Sequence, residues 1–174
     1  MPAEGGQDVD REPQIQERAA QHYVGIPMTV TMDGLSGVVD EAFPELFAWL
    51  GGSGIEPSGP PFIRYLAIDV AAELEIELAV PVSAPVAGTT RVRPGVLPEG
   101  RYAVIRHTGP YDGLIASNAE LQTWAREHGV EFDAQDTARG SAWRSRAEHY
   151  LTDPSQEPDP AKWEVDVAYL TSQA

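Results

Sequence analysis

The sequence has no cysteine, so neither a disulfide framework nor thiolate chemistry is open to it. Basic residues are scarce. Only 12 Lys and Arg stand against 27 Asp and Glu, for a net charge of −15. A surface that acidic repels nucleic acid and anionic membrane, so neither is expected as a direct partner. No apolar run approaches the ~18 residues that would mark a membrane-spanning helix. His22, His107, His128 and His149 show no metal-ligand spacing and include no His-x-x-x-His pair, so no metal is expected. There is no Walker or dinucleotide glycine fingerprint, and Gly109-Pro110 is turn chemistry; no cofactor is expected. Residues 1–13 lack the basic-then-apolar order of a secretion signal and read as a disordered acidic tail. With the lack of cysteine, this fits a cytoplasmic protein.

What is present is a chain of 174 residues, 42% apolar, with short polar breaks. That composition suits one domain over 14–174. Gln14 to Val30 is a strand region. Asp33 can cap a helix whose apolar residues Leu35, Val38, Val39, Ala42, Leu46, Trp49 and Leu50 recur at three- and four-residue spacing, with Gly51-Gly52 to end it. Pro44 within it predicts a kink or a fresh helix start, since a mid-helix proline costs about 3 kcal/mol. A strand from Phe62 follows. Leu74 to Val82 then alternates, with Leu74, Ile76, Leu78 and Val80 inward and Glu75 and Glu77 outward. Residues 83–99 read as a connection. Arg101 to Thr108 is a strand, and Asp112 can cap a helix carrying Leu114, Ile115, Leu121, Trp124 and Ala125, with Gly129 just past its end. Glu131 to Gly140 reads as a polar loop. The stretch from Ser141 to Leu151 and the stretch from Lys162 to Leu170 complete the strands.

The order strand–helix–strand–strand therefore occurs twice, in halves 14–82 and 100–170 joined by 83–99. Residues repeat with it. Tyr23 with Asp33-Gly34-Leu35 returns as Tyr102 with Asp112-Gly113-Leu114, and Glu45-Leu46 with Trp49 returns as Glu120-Leu121 with Trp124. Leu74-Glu-Ile-Glu-Leu-Ala79 returns as Trp163-Glu-Val-Asp-Val-Ala168. The expected fold is α+β: two pseudo-symmetric βαββ units forming one curved antiparallel sheet, with helices on one face and a ligand cleft on the other.

Within Ser141–Leu151, strand alternation puts Trp143, Ala147, His149 and Leu151 on a core face, and Arg144, Arg146, Glu148 and Tyr150 on the other. Aligning the third strands matches Ile63 and Tyr65 with Glu148 and Tyr150. The tyrosines keep the symmetry and Glu148 breaks it. A carboxylate in place of an aliphatic residue on a cleft-facing position is costly for stability alone, which marks Glu148 as a functional candidate.

Arg101-Tyr-Ala-Val-Ile-Arg-His-Thr-Gly-Pro-Tyr-Asp-Gly-Leu114 resembles the signature of GyrI-like small-molecule-binding domains, which also serve as effector-binding domains of AraC- and MerR-type multidrug regulators. Ala147-Glu-His-Tyr-Leu-Thr-Asp153, the Pro-rich spacing after it and Trp163-Glu-Val-Asp-Val167 resemble that family's closing segment. The resemblance runs from about Gln14 to Leu170. It implies an aromatic-lined pocket with a buried glutamate, which Glu148 matches, and pocket aromatics where Tyr65, Tyr111 and Tyr150 stand. No helix-turn-helix precedes the matched region here, so a stand-alone member is expected.

Each candidate has a blander reading. Glu148 could be a solvated carboxylate paired with Arg144 or Arg146. Tyr65, Tyr111 and Tyr150 could simply pack, as strand aromatics do. Trp49 and Trp124 lie on apolar helix stripes and read as core, whereas Trp143 could line a cleft rim. His107 could satisfy a backbone group or serve as an acid or base. The leading expectation is binding of a toxic, hydrophobic aromatic or cationic small molecule in a protective role, with Glu148 as counter-charge and Tyr65, Tyr111, Tyr150, Trp143, His107 and Ile63 lining the site. One alternative, which the resemblance implies, is hydrolysis of a strained cyclopropane-bearing natural product. Glu148 would then be general base, and Tyr65, Tyr150 or Tyr111 the hydrogen-bond donor. The other is a protein partner: inhibition of a DNA-binding enzyme through the acidic surface.

Overall fold

The computed structural model describes residues 12–69, 71–138 and 140–172. Most of the expected N-terminal tail, residues 1–11, lies outside the described residues. The strands are β1 (Gln14–Arg18), β2 (Gln21–Val30), β3 (Phe62–Ile68), β4 (Leu74–Pro81), β5 (Arg93–Leu97), β6 (Gly100–Thr108), β7 (Ala134–Thr137), β8 (Gly140–Trp143), β9 (Arg146–Tyr150) and β10 (Glu164–Leu170). The α-helices are α1 (Leu35–Ser53) and α2 (Leu114–Glu127). The class is α+β, as expected. One antiparallel sheet runs β1-β6-β10-β9-β3-β4-β2-β5, and the β7–β8 hairpin attaches to it through β3.

The two halves sit in this order as mirror sequences of strands: β6-β10-β9 meets β3-β4-β2. Their internal registers agree. Ile63 faces Leu78 and Tyr65 faces Ile76 in the first half; Glu148 faces Val167 and Tyr150 faces Val165 in the second. Tyr23 faces Pro81 as Tyr102 faces Leu170. These pairings carry the repeat read from sequence into hydrogen-bonded geometry. Where the halves join, Ile63 pairs directly with Glu148. Because these two residues are symmetry mates, the pseudo-twofold axis passes between them.

The first strand region divides into β1 and β2, and the expected connection 83–99 contains β5. β1 borders β6 and β5 borders β2, so each half is edged by the strand that leads into the other. A single antiparallel register, from Gln14–Val104 to Gly25–Arg93, runs through both ladders. This exchange curls the sheet. Inside the curl, on the face away from the helices, Tyr23, Phe62, Ala79, Leu97 and Ala147 form one buried cluster, and Tyr102, Val104, Ala168 and Leu170 another. The alanines there leave room for the strands to close on one another. The sheet's own curl thus fills the face where the cleft was expected.

Local chemistry departs from expectation at several ends. α1 runs unbroken through Pro44 instead of starting afresh there. Both Pro44 and Asp40, whose carbonyl loses its amide partner, are exposed, so water can satisfy that oxygen. Asp33 does not cap α1, which has no side-chain cap; its N-cap is Gly34, whose N–H donates to the Thr31 hydroxyl at 3.1 Å. Gly51 and Gly52 remain helical, and the helix ends at Gly54, whose φ of 69° is left-handed. Asp112 falls inside a 3-10 turn, Tyr111–Gly113, and makes no cap to α2. Ile115 points to solvent at 72% exposure, not to the core. The expected polar loop 131–140 includes β7. Among the described residues, no helix is long and apolar enough to cross a membrane.

Candidate functional site

Helix α1 packs Ala42, Leu46 and Leu50 onto β2, β3 and β4, in a cluster that includes Ile63 and Tyr65. Helix α2 packs Leu114 and Leu121 onto β6 and β10. Tyr150 packs against both clusters, so it lies at the seam between them. Ile63, Glu148 and Val167 are cross-strand neighbours and share this helix-facing side. Glu148 therefore stands on the axis, on the same side as the helices, and the expected placement on the opposite face is corrected. The parity error arises at Arg144-Ser145, which separates β8 from β9. Ala147 and His149 do face the curl, with His149 against Phe62 at 5.1 Å, but Trp143 turns to the helix side and packs with Phe132 and Tyr169.

Glu148 is 7% exposed. The Tyr65 and Tyr150 hydroxyls both donate to its Oε1, at 2.8 and 2.9 Å. Its Oε2 accepts from Asn118 Nδ2 at 3.1 Å. The blander reading, pairing with an arginine, does not hold: Arg144 reaches Asp133 at 3.4 Å, and among the described residues no cation lies within ion-pair distance of Glu148. Burial, and then the negative charge of Glu148, hold the Tyr65 and Tyr150 phenols well above the usual range. Both therefore stay protonated and keep donating.

Tyr111 stands at the rim. Its ring meets Tyr150 edge-on at 5.4 Å and lies on Trp163 at 4.7 Å, and burial raises its pKa. His107 is not part of this group. Its Nδ1 bonds the Ser117 hydroxyl and its Nε2 the Pro110 carbonyl, both at 2.8 Å, so it ties the turn after β6 to α2. Two contributors, Asn118 and Tyr169, had been missed, and Arg146 had been weighed only as an ion-pair partner of Glu148. Asn118 donates to Leu114 O and Glu148 while accepting from Tyr169 and Arg146. Tyr169 also receives a bond from Gln122 at 3.2 Å. Arg146 lies over Tyr169 and Trp143, at 4.5 and 4.7 Å from the ring centroids. A signal for Asn118 was present: it occupies the inward stripe of α2 between Leu114 and Leu121, where an apolar residue would be expected. Among the described residues, no group of three His, Asp or Glu is placed to hold a metal.

The arrangement offers a buried carboxylate, fixed by three neutral donors, beneath a set of aromatic rings. Such a group favours a positive partner and has none among the described residues. The model of the GyrI-like small molecule binding domain matches residues 11–168. Among curated proteins, none is similar enough to count as a relative. In the solved EcmrR–DNA complex, the EcmrR chain superposes with a TM-score of 0.74 at 14% identity; the match covers 99% of the present chain but 63% of that one. A hydrolase from Listeria innocua gives 0.61 at 18% identity, covering 97% and 98%. SAV2435 bound to tetraphenylphosphonium gives 0.60 at 12% identity, covering 92% and 94%. At these identities the likeness is one of fold.

Proposed function

The chain belongs to the GyrI-like small-molecule-binding domain family, and on that premise we propose that it binds a lipophilic aromatic cation over Glu148, sequestering a toxic compound. The observation that carries this reading is a buried carboxylate on the pseudo-axis, hydrogen-bonded only by neutral groups and lacking a cationic partner among the described residues. A structure selected for stability alone replaces such a group with an aliphatic one, as Ile63 does on the other side of the axis. The bound tetraphenylphosphonium of SAV2435, an aromatic cation, supports the ligand class.

Hydrolysis with Glu148 as base is the less favoured use of the same groups. Both lone pairs of Oε1 face phenolic donors, and Oε2 already accepts from Asn118, so little of the carboxylate is open to a water. Binding needs only its charge.

Titration calorimetry with tetraphenylphosphonium tests the proposal. Glu148→Gln keeps the size and removes the charge, and should weaken binding by about 1.5–3 kcal/mol, or roughly 10- to 150-fold. Equal affinity of the two proteins, or no binding by the unaltered one, would refute the counter-charge role.

A further inference from the structure

Arg146 presents an unusual arrangement beside this site. It is two residues from Glu148 on the same strand, yet the two do not form an ion pair within 4.0 Å. Its guanidinium instead sits in an aromatic corner: 4.5 Å from the Tyr169 ring, 4.7 Å from Trp143 and 5.9 Å from Tyr65. The rings of the corner also hold one another: Trp143 and Tyr169 meet edge-on at 5.1 Å, and Phe132 packs against both. The Asn118 amide joins the two charges. Its oxygen accepts from Arg146 at 3.4 Å, and its nitrogen donates to Glu148 at 3.1 Å.

We propose that this corner, beside Glu148, is a cation subsite and that Arg146 is its resident occupant. A planar, delocalised cation of the amidinium or guanidinium type displaces the Arg146 side chain, which swings out to solvent on its flexible stem. The incoming cation then faces the same rings and the same Asn118 oxygen, with Glu148 just beyond. The chemistry follows from the occupant: rings and an amide oxygen placed for a guanidinium suit a flat cation with N–H donors better than a bulky tetrahedral one. Arg146 is then a specificity element. It lowers affinity for every cation that cannot match its own contacts, and it keeps the acidic site from binding metal ions or simple amines indiscriminately. This inference rests on the cation-binding reading of Glu148, which tetraphenylphosphonium and Glu148→Gln test separately.

The probe is benzamidinium, titrated into the unaltered protein and into Arg146→Gln. Removing the competitor should tighten binding by about tenfold or more, the scale of two ring contacts. Adding Trp143→Ala to Arg146→Gln should cancel that gain, which loss of a like charge alone would not do. An unchanged or weaker affinity in Arg146→Gln, a gain that survives Trp143→Ala, or no benzamidinium binding by either protein would overturn the proposal. Arginine side-chain NMR of the unaltered protein gives an independent reading should the variants misfold. The ring-shifted guanidinium signal of Arg146 should move to its solvent position at saturation; a signal that stays shifted in the complex also overturns it. Should Glu148→Gln leave tetraphenylphosphonium binding intact while the Arg146 results hold, the counter-charge reading fails and the corner remains a cation site.

Discussion

Glu148→Gln should stabilise the free protein, and the structure sets the size of the effect. The glutamine oxygen can take the place of Oε1 and keep both phenols, which now donate at 2.8 and 2.9 Å. Its amide nitrogen must then face Asn118 Nδ2, donor against donor. Asn118 cannot turn to relieve this, because Nδ2 also donates to Leu114 O at 2.8 Å and Oδ1 accepts from Tyr169 and Arg146. One hydrogen bond to a charged group is lost, at about 1.5–3 kcal/mol. Against this, a carboxylate 7% exposed and without a cation partner among the described residues is no longer buried. That burial penalty is on the order of several kcal/mol even after relaxation. The difference favours the variant by roughly 1–3 kcal/mol, a rise in Tm of roughly 2–10 °C for a domain of this size. Calorimetric melting of both proteins at neutral pH, without ligand, reads it directly. A fall in Tm of similar size would mean that Glu148 is held for stability, and would remove the argument that its charge is kept for a ligand.

Acid sensitivity should trace to His149, whose pKa burial depresses from 6.5 to about 4, with the Arg18 charge adding to the effect. The unfolded chain takes up the proton first, so stability is full above pH 6.5 and declines as pH falls towards 4, by up to about 3 kcal/mol. Urea unfolding across that window should show the slope, and His149→Phe, which keeps the ring against Phe62, should flatten it; an unchanged slope rejects the assignment. Gly113→Ala should destabilise by about 1–3 kcal/mol, because a Cβ there would stand 2.7 Å from His107 Cε1 and force the ring from its bonds to Ser117 and Pro110. Denaturant midpoints check this, and a neutral result would show that the turn after β6 tolerates movement.

Much of this was legible in the sequence, for identifiable reasons. Alternation in Leu74–Val82 and three- and four-residue spacing in α1 report which side faces the core, and that information is local. The repeat added non-local information: matching Tyr65 to Tyr150 brought together two residues that the fold sets on either side of Glu148. The side of the sheet was not legible. Strand alternation holds only while a strand is unbroken, and the interruption at Arg144-Ser145 carries Trp143 to the face opposite that of Ala147. Helix ends were misassigned because Gly34, not Asp33, is the N-cap of α1, and Gly54, not Gly51-Gly52, takes the left-handed turn that ends it. Asn118 and Tyr169 were missed, and Arg146 was weighed only as an ion-pair partner of Glu148, because their roles depend on α2 lying over the sheet, a tertiary fact that spacing does not encode.

The position of the site follows from the duplication. In a twofold arrangement, mates stand apart everywhere except on the axis, where they touch. Ile63 and Glu148 are such a pair. Two carboxylates there would face each other across one ladder rung, about 5 Å apart, and repel, so a charge on the axis is tolerated only singly. The tyrosines two residues further along each strand are then nearly equidistant from that single charge, and the near-equal 2.8 and 2.9 Å bonds record it. A glutamate one rung off the axis would lie near one tyrosine and far from the other. A single exchange at this point therefore recruits a donor from each half, and it leaves the aliphatic mate, Ile63, to keep the floor of the site dry.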